Sequence, residues 1–151
     1  MATRCEIGTN IFHHRLPVQM RFNDIDMLGH LNNSVYFTFF DLAKTRYFME
    51  VLHGKVDWGK IGVAIVNVNC DFCAQTFFDD KIEVRTACVA IGEKSLTLEQ
   101  VVCSDKGEIK AHCRTIMAAF NAETGTSAPI QQYWRDSLEA FEGRNLSKKS
   151  K

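Results

Sequence analysis

The segment from Val35 to about Leu52 constrains the fold of this chain more than any other. It is predicted as one long helix, and apolar or aromatic side chains cover most of its circumference: Phe37, Phe39, Phe40, Leu42, Ala43, Tyr47, Phe48, Val51 and Leu52. A helix that lies on a protein surface keeps a broad polar face for water. Because this segment lacks such a face, the sequence predicts a helix that other elements surround.

Strand-like segments flank this helix. Before it, apolar and polar residues alternate from Leu16 to Phe22, with the period of two that is typical of a half-buried strand. After it and a short linker with Trp58 and Gly59, similar runs follow at residues 64–72, 82–88, 96–102 and 109–120. The predicted fold class is therefore α+β, in which a curved antiparallel sheet of about five strands wraps a long central helix.

The whole chain, residues 1–151, is predicted to form one domain, since 46% of its residues are hydrophobic and 24% are charged. The core is expected at about residues 14–122, a short C-terminal helix at about 130–142, and a polar, flexible tail at 143–151. A curled sheet has exposed edges, and pairing two copies edge to edge covers one of them. We therefore expect a homodimer or, as a dimer of dimers, a homotetramer.

Charge, hydropathy and cysteine positions argue against several classes of protein. The 18 basic residues balance 18 acidic ones, so no overall positive field favours nucleic acid. No stretch approaches the roughly 18 apolar residues of a membrane span, and residues 1–10 lack the apolar segment of a signal peptide. Cys70, Cys88 and Cys113 occupy apolar-phase positions of strands, where reduced cysteine packs as a small hydrophobe. We therefore expect a soluble chain in the reducing cytoplasm.

A metal site is not expected from the histidines or cysteines. Cys70-Asp71-Phe72-Cys73 matches the spacing C-x-x-C, but strand alternation points its two cysteines to opposite faces. A zinc site also needs a second cysteine or histidine pair, and none follows at a suitable spacing. The predicted function therefore involves no metal.

The ten residues from Asp24 to Asn33 are the strongest functional signal. They place two carboxylates, an imidazole and two amides in a turn just before the predicted helix. The first N–H groups of a helix lack intrahelical partners and carry the positive end of its dipole, and residues 32–34 can each cap it. A carboxylate beside such donors suits chemistry on a polarised carbonyl. Since Asp also caps turns, a structural role for Asp24 and Asp26 stays an alternative.

Four motifs, in this order, resemble one protein family. They are Arg21-Phe22-Asn23-Asp24-Ile25-Asp26, His30-Leu31-Asn32-Asn33, Phe78-Asp79-Asp80 and Gly92-Glu93-Lys94-Ser95-Leu96. With the order of elements, they are similar to the hotdog-fold acyl-CoA thioesterases of the 4-hydroxybenzoyl-CoA thioesterase-like family, over roughly residues 16–120. One departure is Ala74-Gln75-Thr76, where this family often has a proline before the Asp-Asp pair. It affects the contour of the acyl pocket rather than the fold.

The resemblance implies an acyl-CoA thioester hydrolase that releases a free carboxylic acid and CoA without a cofactor. It assigns catalysis to Asp26, as nucleophile or general base, and polarisation of the thioester carbonyl to the backbone N–H of Asn33. An acyl carrier protein is an alternative carrier of the acyl group. His30 is also expected among the catalytic residues and Asn32 among the substrate-binding ones, where both shape or orient the pocket. Lys94 and Ser95 are expected to bind substrate near the CoA phosphates.

Other functions fit the same predicted fold. A hydratase or dehydratase acting on acyl thioesters needs a histidine and a carboxylate on the helix side, for which His30 and Asp41 are the candidates. A non-catalytic acyl-thioester binding module keeps the fold and the Lys94-Ser95 turn but needs no carboxylate in the pocket. Asp26 argues against that module. Lys94 also fits an ordinary solvated turn.

Overall fold

The structure, a computed structural model, describes Cys5, residues 7–55 and residues 61–147. Its main elements are β1 (His14–Val18), α1 (Asn33–Val51), β2 (Ile61–Phe72), β3 (Ile82–Ile91), β4 (Ser95–Ser104), β5 (Ile109–Asn121) and α2 (Gln132–Glu142). The predicted linker with Trp58 and Gly59 and the last part of the predicted tail, residues 148–151, lie outside the described residues.

The five strands form one antiparallel sheet in the order β1-β3-β4-β5-β2, and α1 packs against one face of it. Each of the three long pairings contains a register shift, at Ile65/Asn67, Cys88/Ala90 and Val102/Cys103. Such shifts bend strands and increase their twist, which allows the sheet to curve around the helix. The predicted α+β class, one long helix against a curved five-stranded antiparallel sheet, is confirmed.

The first strand is shorter than its apolar alternation indicates. It ends at Val18, and the chain then forms a 3-10 turn over Phe22–Asp24. The Asp24 carboxylate accepts the backbone N–H of Arg21 at 2.8 Å and so closes this turn locally. This local hydrogen bonding replaces strand pairing beyond Val18.

Two apolar clusters fill the space between α1 and the sheet. One contains Tyr36, Phe39 and Phe40 from the first half of the helix, and the other contains Tyr47 and Phe48 from the second half. The helix is nevertheless not surrounded within one chain, because three of its apolar residues stay exposed. These are Phe37, Leu42 and Met49, with 39%, 46% and 47% exposure.

A buried polar contact joins the middle of α1 to the sheet. Gln100 of β4 is fully buried, and its Nε2 donates to the carbonyl oxygen of Phe40 at 3.0 Å and to the hydroxyl of Thr86 at 3.0 Å. A buried amide without partners would be costly, so these two bonds favour one placement of the helix on the sheet.

The second helix closes the far end of α1. The Tyr47 hydroxyl donates to Glu142 at 2.8 Å, and Glu142 also accepts the backbone N–H of Cys88 at 3.2 Å. Beyond α2, Leu146 is buried, and its carbonyl accepts the N–H of Ile91 at 2.7 Å. Within the predicted tail, Leu146 therefore packs into the core cluster beside the sheet.

A disulfide joins Cys5, before β1, to Cys73, after β2. Cys70, Cys88, Cys103 and Cys113 are free thiols, so the expectation of reduced cysteines holds for these four and not for the pair of Cys5 and Cys73. The two cysteines of the C-x-x-C segment have different partners, since Cys70 lies opposite Cys113 in the pairing of β2 with β5. The sequence offered no signal for the pairing of Cys73 with Cys5, because the two are separated by 68 positions.

Candidate active site

Asp26 opens the turn that leads to α1. Its backbone N–H donates to the carbonyl of His30 at 2.8 Å, and its Oδ1 accepts the N–H groups of Leu28 at 2.9 Å and His30 at 3.1 Å. Gly29 sits in the turn with φ of 83°, a left-handed conformation in which a side chain is strained. The turn therefore fixes one carboxylate oxygen of Asp26. Among the described residues, Oδ2 has no hydrogen-bond partner.

Asp24, the other carboxylate of the turn, is committed to structure. It is buried, and its carboxylate accepts the backbone N–H of Arg21 at 2.8 Å and pairs with the Arg21 guanidinium at 3.1 Å. Burial opposes ionisation of this carboxyl, but the Arg21 side chain and backbone N–H together hold its pKa below the usual value. The backbone carbonyl of Asp24 also accepts the N–H of Asn32 at 2.9 Å, which fixes the start of the helix.

Asn32 caps α1. Its side-chain oxygen accepts the backbone N–H and the hydroxyl of Ser34, both at 3.2 Å, and its carbonyl accepts the N–H of Val35 at 2.9 Å. Asn33 is the first residue of the helix, and its N–H meets no acceptor within the described ranges. The helix start thus offers one free donor at the positive end of the helix dipole.

Asp26, Asn32 and Asn33 line one cleft of about 450 Å³. Its opposite side is the loop 73–76 after β2, whose Thr76 carbonyl accepts the N–H of Leu31 at 2.7 Å. The Thr76 and Tyr36 hydroxyls are 2.8 Å apart, and the His30 ring meets Phe77 edge to face, with centroids separated by 5.2 Å. The turn and the loop are therefore joined by direct contacts on both sides of the cleft.

The structure brings four of the predicted site residues together and separates two. Those in the cleft are Asp26, His30, Asn32 and Asn33. Lys94 lies in the β3–β4 turn, where its ammonium is 3.4 Å from the Ser127 hydroxyl, and Ser95 is the first residue of β4. Ser95 pairs with Ala118 of β5, seven residues along that strand from Ala111, which pairs with Phe72 at the cleft. That spacing corresponds to roughly 23 Å.

Sequence reasoning missed part of the cleft. Tyr36, Phe72 and loop 73–76 line it, but their positions follow from the packing of β2 beside α1 rather than from a local motif. One sequence signal pointed there, because Ala74-Gln75-Thr76 is the segment that departs from the resembled family. The contact of Thr76 with both Tyr36 and Leu31 shows that this segment shapes the cleft.

The arrangement suits attack on a carbonyl carbon. A carbonyl oxygen placed at the helix start accepts the Asn33 N–H, and the free oxygen of the Asp26 carboxylate lies in the same cleft. Over the part of the chain that is described, no cluster of three or more His, Cys, Asp or Glu side chains is arranged to hold a metal ion. None of the described helices is long and apolar enough to span a membrane.

Comparison with known proteins gives consistent matches. A family described as the Thioesterase-like superfamily matches residues 20–139. The uncharacterized protein YsmA of Bacillus subtilis (strain 168) is 26% identical over 108 residues, which cover 72% of this chain and 73% of YsmA. Among solved structures, a thioesterase from Thermus thermophilus complexed with coenzyme A and Zn is 31% identical, with a TM-score of 0.77, and the match covers 89% of this chain and 98% of that one.

A further solved structure, the PA5185 protein from Pseudomonas aeruginosa strain PAO1, is 25% identical, with a TM-score of 0.78, and the match covers 92% of this chain and 96% of that one. The family match spans most of the chain and includes the turn, α1 and the whole sheet except β1. It therefore covers every residue that lines the cleft. The chain belongs to the thioesterase-like superfamily and has the hotdog fold of its thioesterases.

Proposed function

We propose that this chain hydrolyses acyl-CoA thioesters in the cleft between the Asp26 turn and loop 73–76. The observation that carries this proposal is that the Asp26 carboxylate and the free N–H of Asn33 line one cleft. Membership of the thioesterase-like superfamily supports thioester hydrolysis in general. The coenzyme A bound to the Thermus thermophilus relative supports CoA as the carrier.

In the proposed reaction, the Asn33 N–H donates to the thioester carbonyl oxygen and stabilises the negative charge that develops there. Oδ2 of Asp26 either attacks the carbonyl carbon and forms an anhydride or removes a proton from an attacking water. Oδ1 stays bound to the N–H groups of Leu28 and His30, which hold the carboxylate in place. The sulfur leaves as a thiolate, and because a simple thiol has a pKa of about 8.5, it needs little acid assistance. On the anhydride route, water then hydrolyses the anhydride and regenerates Asp26, so on either route the net products are a carboxylic acid and a thiol.

The contacts of Asp41 weigh against the hydratase alternative. Asp41 lies in the middle of α1 and pairs with Lys44 at 3.3 Å, and it does not line the cleft. Among the described residues, His30 therefore has no carboxylate partner on the helix side of the cleft in the arrangement that this alternative requires. Hydrolysis is the better supported reaction.

We further propose that two copies pair along the β2 edge. Within the described sheet, β2 is paired with β5 alone, and its middle section, residues 64–69, is exposed. Val66 of this section is 61% exposed, and Phe37 of α1 is also partly exposed beside Phe72 of β2. Two-fold pairing of β2 with its copy runs the strands antiparallel. The Lys94-Ser95 turn of one copy then approaches the cleft end of the other, where it can contact CoA phosphates.

The central experiment is an assay of free-thiol release from a panel of short, long and aromatic acyl-CoAs. Wild type is expected to turn over at least one of them, and Asp26→Asn is expected to lose about 10²–10⁴-fold in kcat. Asn keeps an oxygen that can accept the Leu28 and His30 N–H groups, so the turn is preserved. Asp105→Asn, at an exposed turn carboxylate, is the matched control and keeps full activity.

The same assay decides between the proposal and a binding module. Absence of turnover with every acyl-CoA, together with tight calorimetric binding of the intact thioester, would favour the module. Undiminished turnover by Asp26→Asn would refute the assigned role of this carboxylate. Faster turnover of an acyl carrier protein thioester than of the same acyl-CoA would change the carrier but not the chemistry.

The proposed dimer has its own test. Val66→Lys places a charge on the exposed edge of β2 and is expected to give a monomer by light scattering, whereas wild type gives a dimer or tetramer. Lys94→Ala is expected to raise KM for acyl-CoA several-fold but not for a truncated thioester without phosphates. A monomeric wild type, or an equal effect of Lys94→Ala on both substrates, would contradict this arrangement.

A further inference from the structure

The hydrolysis mechanism makes no use of the disulfide between Cys5 and Cys73, although Cys73 is one of the residues that line the cleft. Cys73 lines the cleft together with Asp26, and it is disulfide-bonded to Cys5. Both cysteines are half-buried rather than enclosed in the core. A disulfide sulfur is electrophilic toward thiolates. The cleft in which the proposed hydrolysis releases a thiolate is therefore lined by a residue whose disulfide can react with thiolates.

The two halves of this disulfide are held very differently. On the Cys73 side, the N–H groups of Cys73 and Ala74 donate to the carbonyl of Lys110 at 2.8 and 3.2 Å, and the Lys110 ammonium donates to the carbonyl of Gln75 at 3.2 Å. These bonds do not depend on the disulfide. Loop 73–76 therefore keeps its place when the disulfide opens.

On the Cys5 side, the chain is held by apolar packing on the outer face of the sheet. Ile7, Ile11 and Phe12 contact a small cluster there that contains Val101 and Cys103. β1 and β2 are the two edge strands, so the disulfide connects the segment before one edge to the loop after the other. When it opens, Cys5 is the half that is free to move away, because it precedes this packing.

We propose that Cys73 is a thiol-exchange site for thiols of the coenzyme A class, including the thiol that hydrolysis releases. This rests on the proposed function, since hydrolysis is what delivers such a thiol to the cleft. The thiolate attacks Sγ of Cys73, a new S–S bond forms between thiol and Cys73, and the Cys5–Cys73 bond breaks. Cys5 leaves as a thiolate and takes up a proton. One disulfide replaces another, so no external oxidant or reductant is needed.

Modification at Cys73 has a direct consequence for the site. The adduct on Cys73 occupies the cleft that the substrate uses, so the modified chain is inhibited. Cys5 can reverse the exchange, because the packing of Ile7, Ile11 and Phe12 still tethers it near Cys73, with an effective concentration on the order of millimolar. Inhibition therefore requires a thiol at comparable concentration, and a dithiol reductant removes the adduct by reducing it to two thiols.

The first experiment maps the exchange. Oxidised wild type is incubated with coenzyme A at about 5 mM, matched to that effective concentration, then acidified, alkylated and analysed by peptide mass spectrometry. The expected result is coenzyme A on Cys73 and an alkylated Cys5. The matched control is Cys103→Ala, which alters a free cysteine under the same segment and should exchange equally. An intact Cys5–Cys73 bond, or an adduct confined to other cysteines, would overturn the proposal.

The second experiment traps the adduct. Cys5→Ser leaves Cys73 as a free thiol without its competitor, and treatment with the symmetrical disulfide of coenzyme A should modify it stably. Acyl-CoA hydrolysis by the treated Cys5→Ser protein is expected to fall at least tenfold and to return after dithiothreitol. The same treatment should not change the hydrolysis rate of Cys5→Ser/Cys73→Ser. Full activity of the modified Cys5→Ser protein would contradict the inference.

The two proposals can fail separately. Adduct formation needs no turnover, so Asp26→Asn is expected to exchange as wild type does. If the adduct forms on Cys73 but wild type hydrolyses no acyl-CoA, the proposed hydrolase activity fails while the exchange site stands. If wild type hydrolyses acyl-CoA but Cys73 takes no adduct, the exchange site fails alone.

Discussion

The two ends of α1 differ in how far the rest of the chain pairs their backbone hydrogen-bonding groups. At the C-terminal end, the chain itself satisfies the last carbonyls: the Leu52 carbonyl accepts the Tyr133 hydroxyl at 2.7 Å and the Lys55 N–H at 2.9 Å, and the Met49 carbonyl accepts the Gly54 N–H at 2.8 Å. At the N-terminal end, within the described part of the chain, the Asn33 N–H is left without an acceptor. One end is closed by internal hydrogen bonds, and the other keeps a donor for a ligand.

This difference separates stability from function along a single helix. Unpaired donors at a helix start cost little while water reaches them, and they bind an anionic or polarised oxygen when one arrives. At the other end of α1, unpaired carbonyls away from water would be costly, and they are paired within the chain, that of Leu52 with Tyr133 of α2. Substitutions at the start of α1 should therefore affect catalysis first, and those at its end should affect folding first.

Among substitutions that compare the two ends of α1, the largest expected effect comes from removing the free donor. Asn33→Pro deletes the backbone N–H at the first helical position, where proline is well tolerated. Asn32 has φ of −62° and ψ of 133°, an extended conformation that also suits a residue before proline. We expect kcat for acyl-CoA hydrolysis to fall about 10²–10³-fold, as when an oxyanion donor is lost.

Asn33→Ala is the matched control for this substitution, because it removes the side chain and keeps the N–H. It should retain activity within a few-fold of wild type, and circular dichroism should show the same helix content for both variants. Equal activity of Asn33→Pro and Asn33→Ala would mean that this N–H takes no part in catalysis.

The next effect tests the closed end. Tyr47→Phe removes the hydroxyl that Glu142 and the Cys88 N–H share, and we expect the free energy of unfolding in urea to fall by about 1–3 kcal/mol. Tyr133→Phe is the control, since the Leu52 carbonyl keeps its bond to Lys55. Tyr133→Phe should lower the free energy of unfolding by less than Tyr47→Phe does. If Tyr47→Phe changed KM for acyl-CoA and left the free energy of unfolding unchanged, the proposed division of function and stability between the two ends of α1 would be wrong.

A smaller effect is expected at the helix cap. Asn32→Ala removes the acceptor for the Ser34 N–H and should lower the unfolding free energy by about 1 kcal/mol. It should also reduce kcat, since Asn33 loses its fixed position. Asn32→Ser keeps a capping oxygen and should restore most of both losses. If both variants retained wild-type stability and activity, the cap would be dispensable for the site.

The smallest effect is a pH dependence at the closed end. Burial raises the pKa of Glu142, although the Tyr47 and Cys88 hydrogen bonds oppose this shift. The folded state then holds the proton more tightly than the unfolded state, so stability contributed by this group falls as pH rises from the usual value of 4.5 through the raised pKa. Urea titrations of Glu142→Gln should show less loss of stability over this range. A parallel pH profile for wild type and variant would contradict the assignment.

Much of the open end could be predicted because it is local in sequence. Asp26, His30, Asn32 and Asn33 lie within eight residues, so a turn followed by a helix necessarily brings them together. The apolar circumference of α1 and the alternating strands likewise predicted the fold class from short-range periodicity. Such features depend on neighbouring residues and not on how distant segments meet.

The rest depends on long-range pairing that periodicity does not specify. The contact of Tyr36 with Thr76 spans 40 residues, and the contact of Tyr47 with Glu142 spans 95. The first depends on where β2 ends beside α1 and the second on how α2 docks against α1, and short-range alternation specifies neither. The Lys94-Ser95 turn shows the same limit, because its distance from Asp26 follows from the direction of β4 and β5.

Gln100 gives the apolar helix a rotational setting that its own side chains do not define. A helix that is apolar on most of its circumference can rotate or shift on a sheet at little cost in free energy, since one apolar contact replaces another. The hydrogen bond from Gln100 to the Phe40 carbonyl is directional, so it favours one rotation and one position of the helix over the others. It lies two turns after the cap, so it also fixes how far the helix start projects beyond the sheet. A residue of the sheet thereby helps to set the position of the Asn33 N–H, the donor that we propose for the substrate carbonyl.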